Sequence, residues 1–407
     1  MSTSEVFTAG PTGDKIRSDC QVTYTPSHHP LRVEIKSMVA VLFGSSLRKL
    51  VEEALATLGI TTGEFVLNDF GALPWVVQAR LETVIKRAFP RLQSQVLPEL
   101  KAHSLYGTTR DHFRRSRLYL PGNQPKLMVN AGIHQPDAII LDLEDAVPPG
   151  EKDAARFLVR NALRTLDFFG VERMVRINQG QRGLDDLAYI VPHNVHLVLI
   201  PKVESAAQVH AVDEQIKMLS QASGRKAPVF LMPILESGRG ILKALEIAEA
   251  SPNNVALAIG LEDYTADLGT QRTVEGKESF FARSMLVNAA RATGIQAIDT
   301  VFSDVSDEGG LRSSVAEAKA LGFDGKGCIH PRQIRVIHEV FAPSGDEIEK
   351  AQKIVKAAED AEKHGLGVVA LGSKMIDPPV VKRAMRTLKL AIDTGIVAAN
   401  WLGEEQP

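Results

Sequence analysis

Eight short β-rich runs, most of them followed by a stretch with helical rhythm, constrain this chain more than any other feature. The runs are 117–120, 138–143, 173–178, 195–201, 229–235, 255–260, 297–302 and 327–330. Between them, 206–219, 238–250, 279–292 and 313–321 repeat apolar residues with a period near 3.6, as a helix with one buried face does. Eight β-plus-α units in roughly 220 residues match a (β/α)8, or TIM-type, barrel in count and length. The alternative is a doubly wound α/β sheet. It usually has fewer strands, and no run here is followed by the G-x-G-x-x-G turn that often accompanies it.

Upstream of the runs the pattern is different. Residues 1–20 are polar, rich in Gly, Ser and Thr and without periodicity, which predicts a mobile segment. Residues 21–25 and 31–36 read as strands, the second alternating apolar and polar residues. Val39, Leu42, Leu47, Leu50, Val51, Ala54, Leu55 and Leu58 recur at helical spacing, and Gly59 marks the stop. A strand over 64–67 and a helix over 74–89, with Pro74 in its first turn, complete a small α+β domain. The predicted organisation is therefore this domain at 1–100, a linker at 101–113, the barrel at 114–340 and a helical C-terminal extension at 341–407. The extension reads as a helix to about residue 363, a break at Gly365, Gly367 and Gly372, and a last helix over 379–398.

Charge narrows the partners. Lys plus Arg (47) nearly cancels Asp plus Glu (49), leaving −2, whereas a nucleic-acid binder normally shows a basic excess. The first twenty residues contain no apolar core of a secretory signal, and the longest apolar runs fall far short of the ~20 residues that span a bilayer. Two cysteines, Cys20 and Cys328, cannot staple a chain of this size and predict a reducing compartment. The expectation is a cytoplasmic enzyme with neither nucleic-acid nor membrane partners.

In a barrel of this kind, catalytic groups lie at the C-terminal ends of the strands. Those positions carry Asp142, Glu144 and Asp145, then Arg176 and Asn178, Lys202 and Glu204, Glu236, Glu262 and Asp263, Asp304 and His330. Carboxylates converging on one mouth repel one another unless a cation or shared protons sit among them. Without a His/Cys ligand cluster, oxygen donors favour Mg2+ or Mn2+ over zinc. There is no P-loop and no G-x-S-x-G elbow. His28-His29 beside Pro30 reads as a solvated turn, and Cys328 as a small core residue. His330 is open to either a buried or a substrate-facing role.

Five motifs then occur in order: Arg115-Ser116-Arg117-Leu118-Tyr119-Leu120-Pro121-Gly122, Leu141-Asp142-Leu143-Glu144-Asp145-Ala146-Val147, Val175-Arg176-Ile177-Asn178, Ile234-Leu235-Glu236-Ser237 and Gly260-Leu261-Glu262-Asp263. Together they resemble the β subunit of citrate lyase, within the wider group of metal-dependent aldolases and malyl-thioester lyases. The first hundred residues resemble the acyl-carrier γ subunit of the same complex, through Ala9-Gly10, Ser18-Asp19 and Asp69-Phe70-Gly71-Ala72-Leu73.

The resemblance implies a retro-Claisen cleavage of a citryl thioester to oxaloacetate and an acetyl thioester. It implies Glu236 and Asp263 as Mg2+ (or Mn2+) ligands and Arg176 as a clamp on a substrate carboxylate. Arg115 would meet another carboxylate or the thioester oxygen. Glu144 and Asp145 are the candidates for proton transfer, with no choice between them. Ser18 would carry a phosphoribosyl-dephospho-CoA arm, loaded with the help of an acyl-transferase subunit, and the chain would assemble as a homo-oligomer, a trimer or hexamer. Tethering carrier and lyase on one chain would raise the local thioester concentration, to the millimolar range for a flexible linker. The alternatives are a malyl-CoA or citramalyl-CoA lyase, a pyruvate-type class II aldolase, and a non-catalytic carrier or assembly subunit.

Overall fold

The structure is a computed structural model. It describes residues 5–363, 369–371 and 374–401; Gly365, Gly367 and Gly372 of the expected break lie outside the described residues.

Strands β1 (Phe7–Ala9), β2 (Cys20–Pro30), β3 (Arg32–Ser37) and β4 (Thr62–Asp69) form one sheet in the order β1-β2-β4-β3. Val22 and Tyr24 of β2 and Phe65 and Leu67 of β4 alternate along their strands. They pack with Val51 and Leu55 of α1 (Ala40–Thr57) and with Val77, Leu81 and Val84 of α2 (Pro74–Ala88). The N-terminal stretch departs from expectation. Phe7–Ala9 pairs antiparallel with β2, and Ala9 is buried. Gly10 (φ +92°) then turns the chain so close to the Cys20 carbonyl that any Cβ would collide with it. Three residues are too few to show a period, and edge pairing draws only on backbone groups. His28 and His29 are exposed, at the far end of β2 rather than in a turn.

The eight runs form β5 (Ser116–Pro121), β6 (Ala138–Asp142), β7 (Glu172–Arg176), β8 (Leu197–Ile200), β9 (Phe230–Leu235), β10 (Ala256–Ile259), β11 (Gln296–Asp299) and β12 (Gly325–Cys328). All pair in parallel, and β12 closes the barrel on β5 with Gly327 opposite Arg117. Ile140, Met174, Leu199, Met232, Ile234, Ala258 and Ile298 pack together as its core. Both cysteines are buried, and burial pushes the Cys328 thiol up to about 12, which suits a core residue and not a nucleophile.

Residues 101–113 do not hang free. Ser104 is buried, its carbonyl accepts from Arg173 (2.6 Å), and the Tyr106 hydroxyl donates to the Val171 carbonyl (2.7 Å). Thr108 donates to Glu172 (2.6 Å), which also forms a fully buried ion pair with Arg114 (2.7 Å). These contacts fall at the N-terminal end of β7, so the segment is a strap across the base of the barrel rather than a flexible tether.

The α+β domain and the barrel belong to one compact unit, Met1–Ile334. Helix α2 lies against the barrel helix Lys152–Thr165 along a seam of charges. Arg80, only 1 % exposed, binds Asp19 through both ends of its fork (3.1 and 2.7 Å), and reaches Glu151 (3.3 Å) and the Asn123 carbonyl (3.2 Å). Glu82 pairs with Arg160 (2.7 Å), and Arg87 with Asp153 (2.7 Å). Asn123 and Glu151 follow β5 and β6, so the seam sits on loops of the barrel's C-terminal face.

The second unit begins at Arg335. Within it, helices Gly345–Lys363 and Pro378–Asp393 bury Ile348, Ile354, Val355, Leu388 and Ala391 against one another, beside a short hairpin of Val369–Leu371 and Lys374–Ile376. No helix among the described residues is long and apolar enough to cross a membrane.

Candidate active site

A cavity of about 470 Å3 opens at the C-terminal ends of the barrel strands. Arg117, Tyr119, Asp142, Asp145, Arg176, Glu236, Glu262 and Asp263 are among its walls. Asp142, the last residue of β6, shapes the first wall. Its carboxylate accepts from the backbone N–H groups of Glu144 (2.9 Å) and Ala146 (3.1 Å), folding the following loop into a tight turn. The same carboxylate takes the Nε and one terminal nitrogen of Arg176 (2.7 and 2.6 Å). The forked edge of Arg176, which the resemblance assigns to a substrate carboxylate, is thus already occupied by Asp142. Its other nitrogen reaches Glu144 (3.1 Å) and Asp145 (3.5 Å).

Glu144 and Asp145 differ in surroundings. Glu144 is buried and accepts from Gln179 (2.8 Å) and from the Asp145 N–H (3.0 Å). Burial works against its charge, but the hydrogen bond from Asp145, the Arg176 charge and the Gln179 hydrogen bond hold its carboxyl below the usual range. The Asp145 side chain is half exposed, yet desolvation and its shared hydrogen bond with Glu144 push its pKa up to about 6. The pair therefore divides into a standing charge and a group that exchanges its proton near neutrality.

Glu236 follows β9 and Asp263 lies in the first turn of the helix Leu261–Asp267 after β10. Glu236 is 5 % exposed and its carboxylate lies over Gly260, where a Cβ would fill the same space. Burial raises its pKa to about 8; the Lys202 N–H opposes this and the neighbouring Asp263 charge adds to it. A buried carboxylate with a second carboxylate beside it is relieved by a divalent cation, and an all-oxygen donor set suits Mg2+ or Mn2+. No group of three His, Cys, Asp or Glu residues among the described residues is arranged to hold a metal. Such an ion would therefore draw its remaining ligands from water and substrate.

Lys202 joins all four acids. Its Nζ lies 3.2 Å from Asp263, 3.6 Å from Glu144 and 3.7 Å from Asp145, while its backbone N–H donates to Glu236 (3.0 Å). The backbone there is left-handed (φ 49°), a conformation that a side chain adopts only under local constraint. Lys202 stands among the strand-end residues in the sequence, but nothing there shows that one residue serves four carboxylates.

Three assigned residues do not line the cavity: Glu144, which touches its walls through Arg176 and Asp145, and Arg115 and Ser18, which lie elsewhere. Arg115 precedes β5, at the opposite end of the barrel, and binds Asp137 through Nε and a terminal nitrogen (both 2.8 Å). Of that motif, Arg117, Tyr119 and Pro121 reach the cavity, and the arginine among them is Arg117, one turn of the pleat beyond Arg115. Ser18 lies in the α+β domain, in a left-handed turn (φ 60°) with its N–H bonded to the Phe70 carbonyl (3.1 Å). His330 is partly exposed and accepts from the Arg332 N–H (3.2 Å); it does not line the cavity.

A closed parallel barrel with a carboxylate-walled cavity at its C-terminal face defines an enzyme of the barrel aldolase and lyase class. Residues 115–331 match the family model described as HpcH/HpaI aldolase/citrate lyase, and the chain belongs to that family. It is 44 % identical over 281 residues to citrate lyase subunit beta of Haemophilus influenzae, covering 68 % of this chain and 97 % of that one. It is 34 % identical over 296 residues to an L-malyl-CoA/beta-methylmalyl-CoA lyase of Cereibacter sphaeroides, covering 66 % and 92 %. A crystal structure of Mycobacterium tuberculosis protein CitE in complex with magnesium, acetoacetate and coenzyme A aligns with a TM-score of 0.58 at 32 % identity, covering 70 % of this chain and 99 % of that one. Residues 12–88 match a second family model, the malonate decarboxylase delta subunit (MdcD), which makes the N-terminal domain acyl-carrier-like.

Proposed function

We propose that this chain is a divalent-metal-dependent carbon–carbon lyase that cleaves a citryl thioester to oxaloacetate and an acetyl thioester, with Ser18 carrying the acyl arm. The observation that supports it best is the meeting of two acid pairs, Glu236 with Asp263 and Glu144 with Asp145, at one lysine, with three of the four acids lining one cavity.

Glu236 and Asp263 would hold the ion, and an ion there supplies Lewis acidity to the substrate's hydroxyl and carboxylate oxygens. Asp145 is assigned the hydroxyl proton, because a group that titrates near neutrality serves best as general base. As that proton leaves, the oxygen becomes the ketone of oxaloacetate and the carbon–carbon bond breaks. The bonding pair passes to the thioester fragment as an enolate, which takes one proton back at carbon, so the cleavage is proton-neutral. Glu144 stays charged and holds Arg176 and Lys202 in place. Those two cations face the carboxylate beside the substrate's hydroxyl by charge, since the Arg176 fork is spent on Asp142.

The Asp145 assignment fixes a pH profile. Only the ionised carboxylate accepts a proton, so kcat/KM at saturating Mg2+ rises about tenfold per unit below pH 6 and levels above it. Asp145→Asn should lower turnover about 100-fold or more and erase this limb. An unchanged limb in the Asn variant would assign the base elsewhere. Similarity to a malyl-CoA lyase supports a second reading, and malyl-CoA offered beside citryl-CoA in the same assay separates the two.

The carrier reading has its own test. Ser18→Ala should abolish turnover of carrier-bound substrate while sparing cleavage of free citryl-CoA, because the hydroxyl is an attachment point outside the cavity. Intact mass spectrometry of protein from its native host should show a heavy adduct that the Ala variant lacks. Equal loss of both activities would make Ser18 structural instead.

A further inference from the structure

The floor of the cavity carries a cation without a counter-ion. Arg117 is 2 % exposed and lines the cavity from β5. Its Nε has no hydrogen-bond partner, one terminal nitrogen meets only the Met232 sulfur (3.1 Å), and the other only the Asp299 carbonyl (3.5 Å). The Asp299 carboxylate is no help. It is taken by Lys326 (2.7 Å) and by two nitrogens of Arg283 (3.2 and 3.1 Å), and Arg283 in turn holds Glu317 (2.8 Å). Three cations thus stand against two carboxylates. Arg117 is the one that pairs with no carboxylate among the described residues.

Burial disfavours this guanidinium, and Tyr119, Cys328 and Asp299 offset that only in part. A buried cation with an unmade hydrogen bond destabilises a fold by itself. It becomes favourable when a ligand brings the missing anion, and a guanidinium selects a planar carboxylate.

From this geometry we propose that Arg117 is a specificity-determining residue, binding a second carboxylate of the substrate at the cavity floor and so selecting thioesters of the citryl type over monocarboxylate analogues. This rests on the lyase reading for the identity of the substrate, but not for its test. Metal ligation and proton transfer need one end of the substrate only; the other end is what Arg117 reads.

Oxaloacetate and pyruvate differ by one carboxylate, which makes them suitable probes. In calorimetry with Mg2+, the wild-type chain should bind oxaloacetate at least about tenfold tighter than pyruvate. Arg117→Met should bind the two within about twofold, and its unliganded melting temperature should match or exceed that of the wild type, since an uncompensated charge has been removed. Citryl-CoA kcat/KM should fall at least about thirtyfold, with malyl-CoA little changed. Retained preference for oxaloacetate in Arg117→Met, no preference in the wild type, or an unfolded or less stable variant would each overturn the proposal, the last by making Arg117 structural. If neither thioester is cleaved but the keto-acid preference behaves as stated, the lyase reading fails and the assignment of Arg117 stands.

Discussion

Glu236→Gln is expected to lose at least about 10³-fold in turnover while remaining folded, because several kcal/mol of charge stabilisation goes with one metal-ligating carboxylate. Glutamine keeps the shape that fits over Gly260 and can still accept the Lys202 N–H, so what is removed is the negative charge. The same substitution reports on stability with the opposite sign. A carboxyl whose pKa is raised from 4.5 to about 8 on folding binds its proton more tightly in the native state, so the native state loses stability as pH climbs through that window. In metal-free buffer the Gln variant should therefore melt no lower than the wild type at pH 6 and higher than it above pH 8. Asp263→Asn should match the activity loss without that stability gain, since the Asp263 side chain is 42 % exposed where Glu236 is buried. Near-native turnover by either variant with the metal chelated would remove these two residues from the metal site.

The barrel was readable because its signal is redundant. Eight runs, the helical rhythm between them and the polar residues at each strand's C-terminal end all point to one architecture, and an error of two residues at a boundary does not disturb it. Boundaries matter more for single residues. Arg115 and Arg117 share one face of a strand, and only the point at which β5 begins decides which one reaches the cavity and which one staples the base. Lys202 was visible as a strand-end residue, but its role depends on a left-handed backbone that no local pattern announces.

The seam between the domains was not legible at all. The helix over 74–89 is readable from its pattern, but nothing in that pattern shows that its charged residues Arg80 and Glu82 are among the most buried of the chain. Their partners lie 61 to 78 positions away in sequence, and single-sequence periodicity carries no information about such pairings. The strap at 101–113 was missed for a related reason. It is held by backbone carbonyls and side-chain hydrogen bonds rather than by an apolar stripe.

Arg80→Ala tests whether the seam holds the domains as one unit. The substitution leaves Asp19 buried without its bidentate partner, and removing one member of a buried pair costs about 3–5 kcal/mol. It also releases Glu151 and the Asn123 carbonyl on the barrel loops, so the loss should uncouple the α+β domain from the barrel's catalytic face. Urea denaturation should show the midpoint lowered and the single transition of unit Met1–Ile334 split into two. Adding Asp19→Asn to the Arg80→Ala variant should recover part of the stability, because a neutral amide no longer needs a cation beside it. The functional consequence follows from position. Ser18 adjoins Asp19, so a loosened seam should slow carrier-bound turnover about tenfold or more and leave free citryl-CoA cleavage within about twofold, as expected when a pre-oriented pair becomes a merely tethered one. A single variant within about 0.5 kcal/mol of wild type, unfolding in one step, would show that the domains are held together by their apolar contacts and that the charges along α2 contribute only solubility.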